Sequence, residues 1–280
     1  MYIYTKSHPY LTQKTMKKEI CKRPIKLLVI LICLSIVISS CKKEEANIIP
    51  KADHDIKQLT AYLIGKGFKA ENIVFKDERF ILEKDIIITR EELEIKMKNE
   101  GAPQTEHWRG PYLVKDPYHK NIKYYMDSGV PFDWNSAVLG AVMNWNNMED
   151  HSYMVLNMSL LASSAGGDVR IFMGYEDADW VARAYLPASD GKAGRSIEIN
   201  SKYNYLPASE KLFAITHEIG HTIGFNHTDE NKGSFIKGTI PFFDSPLVDP
   251  ESVMNSTILP WNKFTDGDVR ATKNLYPRIF

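Results

Sequence analysis

The sequence predicts an α+β fold: a mixed twisted sheet with one helix that carries the chemistry and a C-terminal helix, preceded by a small α+β unit. Three observations predict it. Strand-length apolar runs recur between residues 72 and 200, helix-period segments interleave with them, and regular patterning thins after Gly224 until a last helical stretch at Asp266–Leu275.

The N-terminus reads as an export signal. Residues 17–26 are basic, residues 27–40 form an apolar run too short to span a bilayer comfortably, and Cys41 follows Ile38-Ser39-Ser40. Residues 1–15 have no signal character, which makes Met16 a candidate start. The run Ile38-Ser39-Ser40-Cys41 resembles the bacterial lipobox, which implies that Cys41 is acylated, becomes the first mature residue and anchors the chain in a membrane. Lys42-Lys43-Glu44-Glu45 then resembles the tags that send some lipoproteins to the outer face of the outer membrane; the competing reading is a solvated linker with no address. The expected divisions are a signal at 1–40, a tether at 41–54, a small unit at 55–100 and the main domain at 101–280.

Cysteine usage fits export. Cys21 and Cys33 leave with the signal, so the mature chain keeps only Cys41, forms no disulfide and must be stabilised by its core. A hydrophobic content of 44% over 280 residues is enough for one sizeable domain and a smaller one. The formal net charge of zero argues against nucleic acid as a partner, and a monomer is expected.

In the small unit Ile56, Leu59, Leu63 and Ile64 have helical spacing before Gly65 and Gly67. Residues 72–75 and 80–88 read as strands, and Thr89 starts a helix to Lys98. Gly101-Ala102-Pro103 is a linker-like break. Beyond it, Ile122–Met126 reads as the first strand of the main domain. Residues 133–148 suit a helix packed on a sheet, 154–160 and 169–173 are strands, and Ser196–Asn200 alternates cleanly. Pro207 and Glu210 mark a helix start, with proline tolerated in the first turn and an acid at the positive end of the dipole; this helix is expected to run to about Ile223.

That helix ends in His217-Glu218-Ile219-Gly220-His221-Thr222-Ile223-Gly224-Phe225-Asn226-His227, the pattern H-E-x-x-H-x-x-G-x-x-H. Ordinary residue usage produces it by chance about once in 10^5 chains of this size. His217 and His221, four apart, leave one face of the helix, Gly224 permits a sharp turn, and His227 swings round as the third ligand. Three protein ligands leave a fourth position open on Zn2+. Water there would be acidified, and Glu218, beside the ion without ligating it, could take its proton during attack on a carbonyl. A structural zinc site is the competing reading; it needs a fourth Cys, His, Asp or Glu and leaves Glu218 without a purpose.

The motif, together with Ser252-Val253-Met254-Asn255 downstream, resembles the metzincin zinc peptidases, whose Met-turn would place Met254 beneath the imidazoles. Within that clan, His-Glu-Ile-Gly-His-Thr followed by Gly-Phe-Asn-His-Thr-Asp is similar to the bacterial dual-action HEIGH metallopeptidases. The resemblance implies a metzincin-like domain over 101–280, a catalytic Glu218, metal ligands His217, His221 and His227, one Zn2+, and a protein or peptide substrate. Some metzincins carry a tyrosine two residues after the methionine; Ser256 stands there, so no tyrosine ligand is expected. Thr228 is expected to support the site by packing, while Asp229 is either a partner of a ligand imidazole or a surface charge. Position before such a domain suggests that 55–100 is a pro-region blocking the cleft, removable by cleavage near residues 99–110. Without a cysteine in it, latency would need another group; Asp85 is a thin candidate, more simply read as flanking a strand. The clan also implies that Ser196–Asn200 forms the rim on which an extended substrate pairs, with Glu198 facing solvent, and that residues 235–243 build a pocket or a packed loop. Asp177 and Asp179 give only thin support to a structural Ca2+.

These readings converge on a secreted, lipid-anchored zinc endopeptidase. Hydrolysis of non-peptide amides is a lesser enzymatic variant. The alternative from another class is a surface binding or adhesion lipoprotein that keeps the zinc fold without efficient turnover.

Overall fold

The computed structural model describes residues 51–99, 108–229, 233, 234, 236 and 249–279. The signal, Cys41 and most of the tether lie outside the described residues. The described residues belong to one compact unit.

Helix α1 (Lys51–Gly65) is followed by strands β1 (Ile73–Lys76), β2 (Arg79–Leu82) and β3 (Ile86–Thr89) and by helix α2 (Arg90–Asn99). Strand β4 (Ile122–Met126), helix α3 (Phe132–Asn146) and strands β5 (Met158–Leu161), β6 (Val169–Gly174), β7 (Ala182–Tyr185) and β8 (Ser196–Asn200) come next. Helix α4 (Ala208–Thr222) and, after irregular chain, α5 (Asp266–Leu275) complete the order. All strands join one eight-stranded sheet in the order β1-β2-β3-β7-β8-β6-β4-β5. The sheet is mixed: β5, β4, β6 and β8 run parallel to their neighbours, β7 runs antiparallel to β8, and β3 lies parallel to β7. The α+β expectation holds.

Alternation along the strands sorts the two faces. Ile122, Tyr124, Val169, Ile171, Ile197 and Ile199 point inward and merge with Trp134, Val138 and Trp145 of α3 and Phe213, Ile215 and Ile219 of α4 in one buried cluster. The opposite face carries stacked cations, with Arg170 4.4 Å from the Phe172 ring and Arg195 4.1 Å from that of Tyr185. Glu198 lies with Arg183 there, at 2.9 Å, as a charge outside the chemistry.

Three expectations are corrected. The run 80–88 is not one strand: Glu83 and Lys84 take left-handed backbone angles, φ 53° and 86°, and fold it into the β2–β3 hairpin. No glycine or asparagine signals this turn, and Glu83 is tied down by Asn72, whose amide donates to its carboxylate at 2.6 Å. Strand β7 was not read at all, since its two alanines carry little strand preference and it is fixed by neighbours on both sides. Because β7 lies outside β8, Ser196–Asn200 is an interior strand and cannot be the rim of a cleft.

Candidate metal centre

Helix α4 is buried along nearly its whole second half, from Phe213 to Thr222. The indole N–H of Trp145 on α3 donates to Thr216 O at 3.0 Å, and the Tyr124 hydroxyl on β4 shares a hydrogen bond of 2.8 Å with that of Thr222. The helix is therefore clamped from both sides at the turn that carries His217 and His221. It ends where Gly224, at φ +107°, reverses the chain; a Cβ there would stand 2.8 Å from Tyr112 O and from Leu113. The turned segment is pinned by Gly110 N to Gly224 O at 2.8 Å and Asn226 N to Trp108 O at 2.9 Å, which brings His227 back beneath the helix.

The three imidazoles converge, with ring centroids 4.5 Å apart for His217 and His221, 5.1 Å for His217 and His227, and 5.0 Å for His221 and His227. Backbone carbonyls set two of the rings: Nδ1 of His217 donates to Val253 O and Nδ1 of His221 to Phe225 O, each at 2.8 Å. That choice of tautomer leaves each Nε2 lone pair facing the centre, as a metal ligand requires. Nε2 of His221 is buried with no hydrogen-bond partner, so the donor set fits a bound cation. Glu218 is buried beside them, and its Oε2 also lacks a partner.

A fourth donor is present. Asp85, first residue after the left-handed turn of the β2–β3 hairpin, brings Oδ2 to 3.2 Å from His227 Nε2 and 3.8 Å from His217 Nε2. Asp85, His217, His221 and His227 offer ligand atoms all within 4.8 Å of one another, the one such group of three or more acids, histidines or cysteines among the described residues. The carboxylate therefore stands beside the three expected ligands, and Asp85 does more than flank a strand. Burial opposes its ionisation, but His227 and His217 outweigh that and hold the carboxyl well below the usual range. Burial and, next, the charge of Asp85 push Glu218 well above its ordinary value, and burial followed by the other two imidazoles pushes His221 well below.

Met254 lies against α4 at Gly220, where a Cβ would meet its sulfur at 2.3 Å, so the glycine before His221 is what admits the methionine. The turn around it is held by Asp268, which accepts from Ser252 Oγ at 2.6 Å and Val253 N at 3.1 Å and, with Thr265, forms the capping box of α5. Thr228 N donates to Met254 O at 2.8 Å, tying the turn to the residue after His227. Asp229 accepts from Ser256 N at 3.0 Å and Ser256 Oγ at 2.5 Å, so Ser256 is engaged away from the histidines. Asp268 was missed by sequence reasoning, although Thr265-x-x-Asp268 is a legible capping signature. The other expected residues fall elsewhere. Asp177 and Asp179 meet Lys202 and Lys84 at 2.7 and 2.5 Å. Of the expected pocket at 235–243 only Ile236 is described, and it is buried. A cavity of about 280 Å³ does adjoin the centre, lined by Asp85, His217 and Glu218 and by Trp180, Ala214 and Ile258.

The model of the dual-action HEIGH metallopeptidase family matches residues 80–239, more than half of the chain, and the matched span takes in both Asp85 and the three histidines. No curated protein matches. Among solved structures, one of myroilysin is 14% identical with a TM-score of 0.39, over 64% of this chain and 93% of that one. A second myroilysin structure is 14% identical with a TM-score of 0.40, over 60% and 97%. High choriolytic enzyme 1, a hatching-enzyme zinc protease of the medaka fish Oryzias latipes, is 15% identical with a TM-score of 0.36, over 59% and 93%. Overlaps of this quality carry no argument beyond themselves.

Proposed function

The chain belongs to the dual-action HEIGH metallopeptidase family, and from that premise we propose that it is an exported, lipid-anchored zinc endopeptidase in which Glu218 is the general base. The observation that carries the reading is the buried Glu218 beside three converged imidazoles, a carboxylate that a purely structural site would not need. Zinc held by His217, His221 and His227 would supply Lewis-acid polarisation of the scissile carbonyl and acidification of a water. The carbonyls of Val253 and Phe225 keep two of the ligand rings oriented. Glu218 accepts the proton released by the attacking water and returns it to the departing amine. A positioned carboxylate of this kind is worth about 10²–10⁴ in rate.

The cavity beside Glu218, walled by Trp180, Ala214 and Ile258 together with Lys84, Asp179 and Ser256, gives room for part of a protein or peptide substrate. Export and anchoring rest on the basic stretch, the apolar run and Cys41. Among the described residues no helix is long and apolar enough to cross a membrane.

The test pairs the mature chain with Glu218→Ala, measuring bound zinc and new N-termini in a peptide library. One zinc in each, with cleavage lost in the variant, supports the endopeptidase. Cleavage that persists in Glu218→Ala refutes the assigned base. Bound zinc without turnover under any condition favours the binding lipoprotein.

A further inference from the structure

The three histidines come from the zinc helix and the loop that follows it, but Asp85 comes from a different part of the chain. Its placement has three independent supports. The left-handed pair Glu83 and Lys84 turns the hairpin so that Asp85 is the first residue to reach the centre. Strand β3 then lies on the outer edge of β7, with Ala184 N donating to Asp85 O at 2.8 Å and Leu186 N to Ile87 O at 2.9 Å. Lys84 reaches Asp179 at 2.5 Å on the far side of the cavity.

Charge supplies a second line of argument. Asp85 and Glu218 line one cavity, and Asp85 Oδ1 and Glu218 Oε2 are both buried without a hydrogen-bond partner. A divalent ion among the three imidazoles would give the Asp85 carboxylate and the buried His221 Nε2 a common partner. An acid oxygen and three imidazole nitrogens make a closed tetrahedral set for zinc.

The sheet edge supplies a third. In the main domain's part of the sheet, β7 is the outermost strand, and its free edge is where an extended peptide would add by backbone pairing. Strand β3 consumes that edge. The segment carrying it has its own core, in which Leu59, Leu63, Phe68, Phe80, Ile86, Ile88 and Leu93 enclose one another, with Leu186 contributed by the main domain and Tyr185 packed on Ile81 and Ile87 beside it.

Resting on the metallopeptidase reading above, we propose that Asp85 is a fourth protein ligand of the zinc, held there by β3 on the β7 edge, so that this arrangement is a self-blocked form of the enzyme. Opening requires Asp85 to leave the metal and β3 to leave β7 together, because the same residue makes the first edge hydrogen bond and supplies the carboxylate.

The experiment uses the full mature chain loaded with cobalt(II) in place of zinc and follows the visible spectrum during titration with acetohydroxamate. Asp85→Ala should respond at a hydroxamate concentration at least about tenfold lower than the unsubstituted chain, since it has a vacant position to offer. The near-isosteric Asp85→Asn should move in the same direction, which guards against misfolding of the alanine variant. Equal responses of all three proteins overturn the proposal. Hydrogen exchange adds an independent check: the Ala184 and Leu186 amides should be protected in the unsubstituted chain, and free exchange there overturns the seating of β3. Cleavage separates this proposal from the reading it rests on. A variant that admits hydroxamate and cleaves peptides faster supports both, whereas one that admits hydroxamate and cleaves nothing upholds Asp85 as a ligand and sinks the peptidase assignment.

Discussion

Two regions meet at the metal centre, and they hold their ligands differently. The α4 side fixes His217 and His221 through backbone carbonyls, a buried helix and the main core, with the Gly224 turn adding His227. The hairpin side fixes Asp85 through two hydrogen bonds on a strand edge, a small core that meets the main domain at Leu186, and a second apolar contact of Ile81 and Ile87 with Tyr185. Displacing the three histidines would require the main core around α4 to open. Lifting the hairpin would open a smaller contact, at Leu186 and Tyr185, since much of its apolar packing is internal to itself. A ligand's permanence is thus decided by which core supports the backbone behind it, not by its distance to the metal.

The sharpest way to break this contrast is to remove one function from each side. Glu218→Ala should lower kcat by about 10²–10⁴ while leaving bound zinc unchanged, read by initial rates beside metal analysis. His221→Ala should abolish stoichiometric zinc binding, whereas Asp85→Ala should retain it with weaker affinity; equal losses in equilibrium dialysis would erase the distinction. Chelation comes next. Zinc at 1,000 times its dissociation constant stabilises the fold by about 4 kcal/mol, so stripping it should lower the melting temperature and loosen both sides together.

Smaller effects probe the supports. Gly220→Ala pushes a methyl into the Met254 sulfur and should cost about 1–3 kcal/mol in denaturant unfolding, with a parallel loss of zinc affinity. Asp268→Ala removes a cap and orphans the buried donors of Ser252 and Val253, a loss of about 1–3 kcal/mol. Lys84→Ala breaks an exposed ion pair and should change global stability by no more than about 0.5 kcal/mol.

Legibility in the sequence follows the same divide. The zinc helix could be read because H-E-x-x-H-x-x-G-x-x-H fixes ligand geometry by local spacing, and the Met-turn could be read beside it. The inward-facing residues of β4, β6 and β8 were visible by alternation or apolar runs. Asp85 was legible only as a thin candidate, because it is more than a hundred residues from His217 in the chain and reaches it through a turn whose left-handed residues are a glutamate and a lysine. Nor was β7 legible, and without it the rim of the cleft was assigned one strand too far inward. Local periodicity reports what a segment does for itself; these features come from what distant segments do for each other.

The most direct measurement of the central claim sets three zinc-loaded full mature chains side by side: unsubstituted, Asp85→Ala, and Asp85→Ala with Glu218→Ala. The account predicts one zinc in each, slow peptide cleavage by the first, faster cleavage by the second and none by the third. Zinc in all three with no cleavage by Asp85→Ala, or cleavage that survives loss of Glu218, would contradict it.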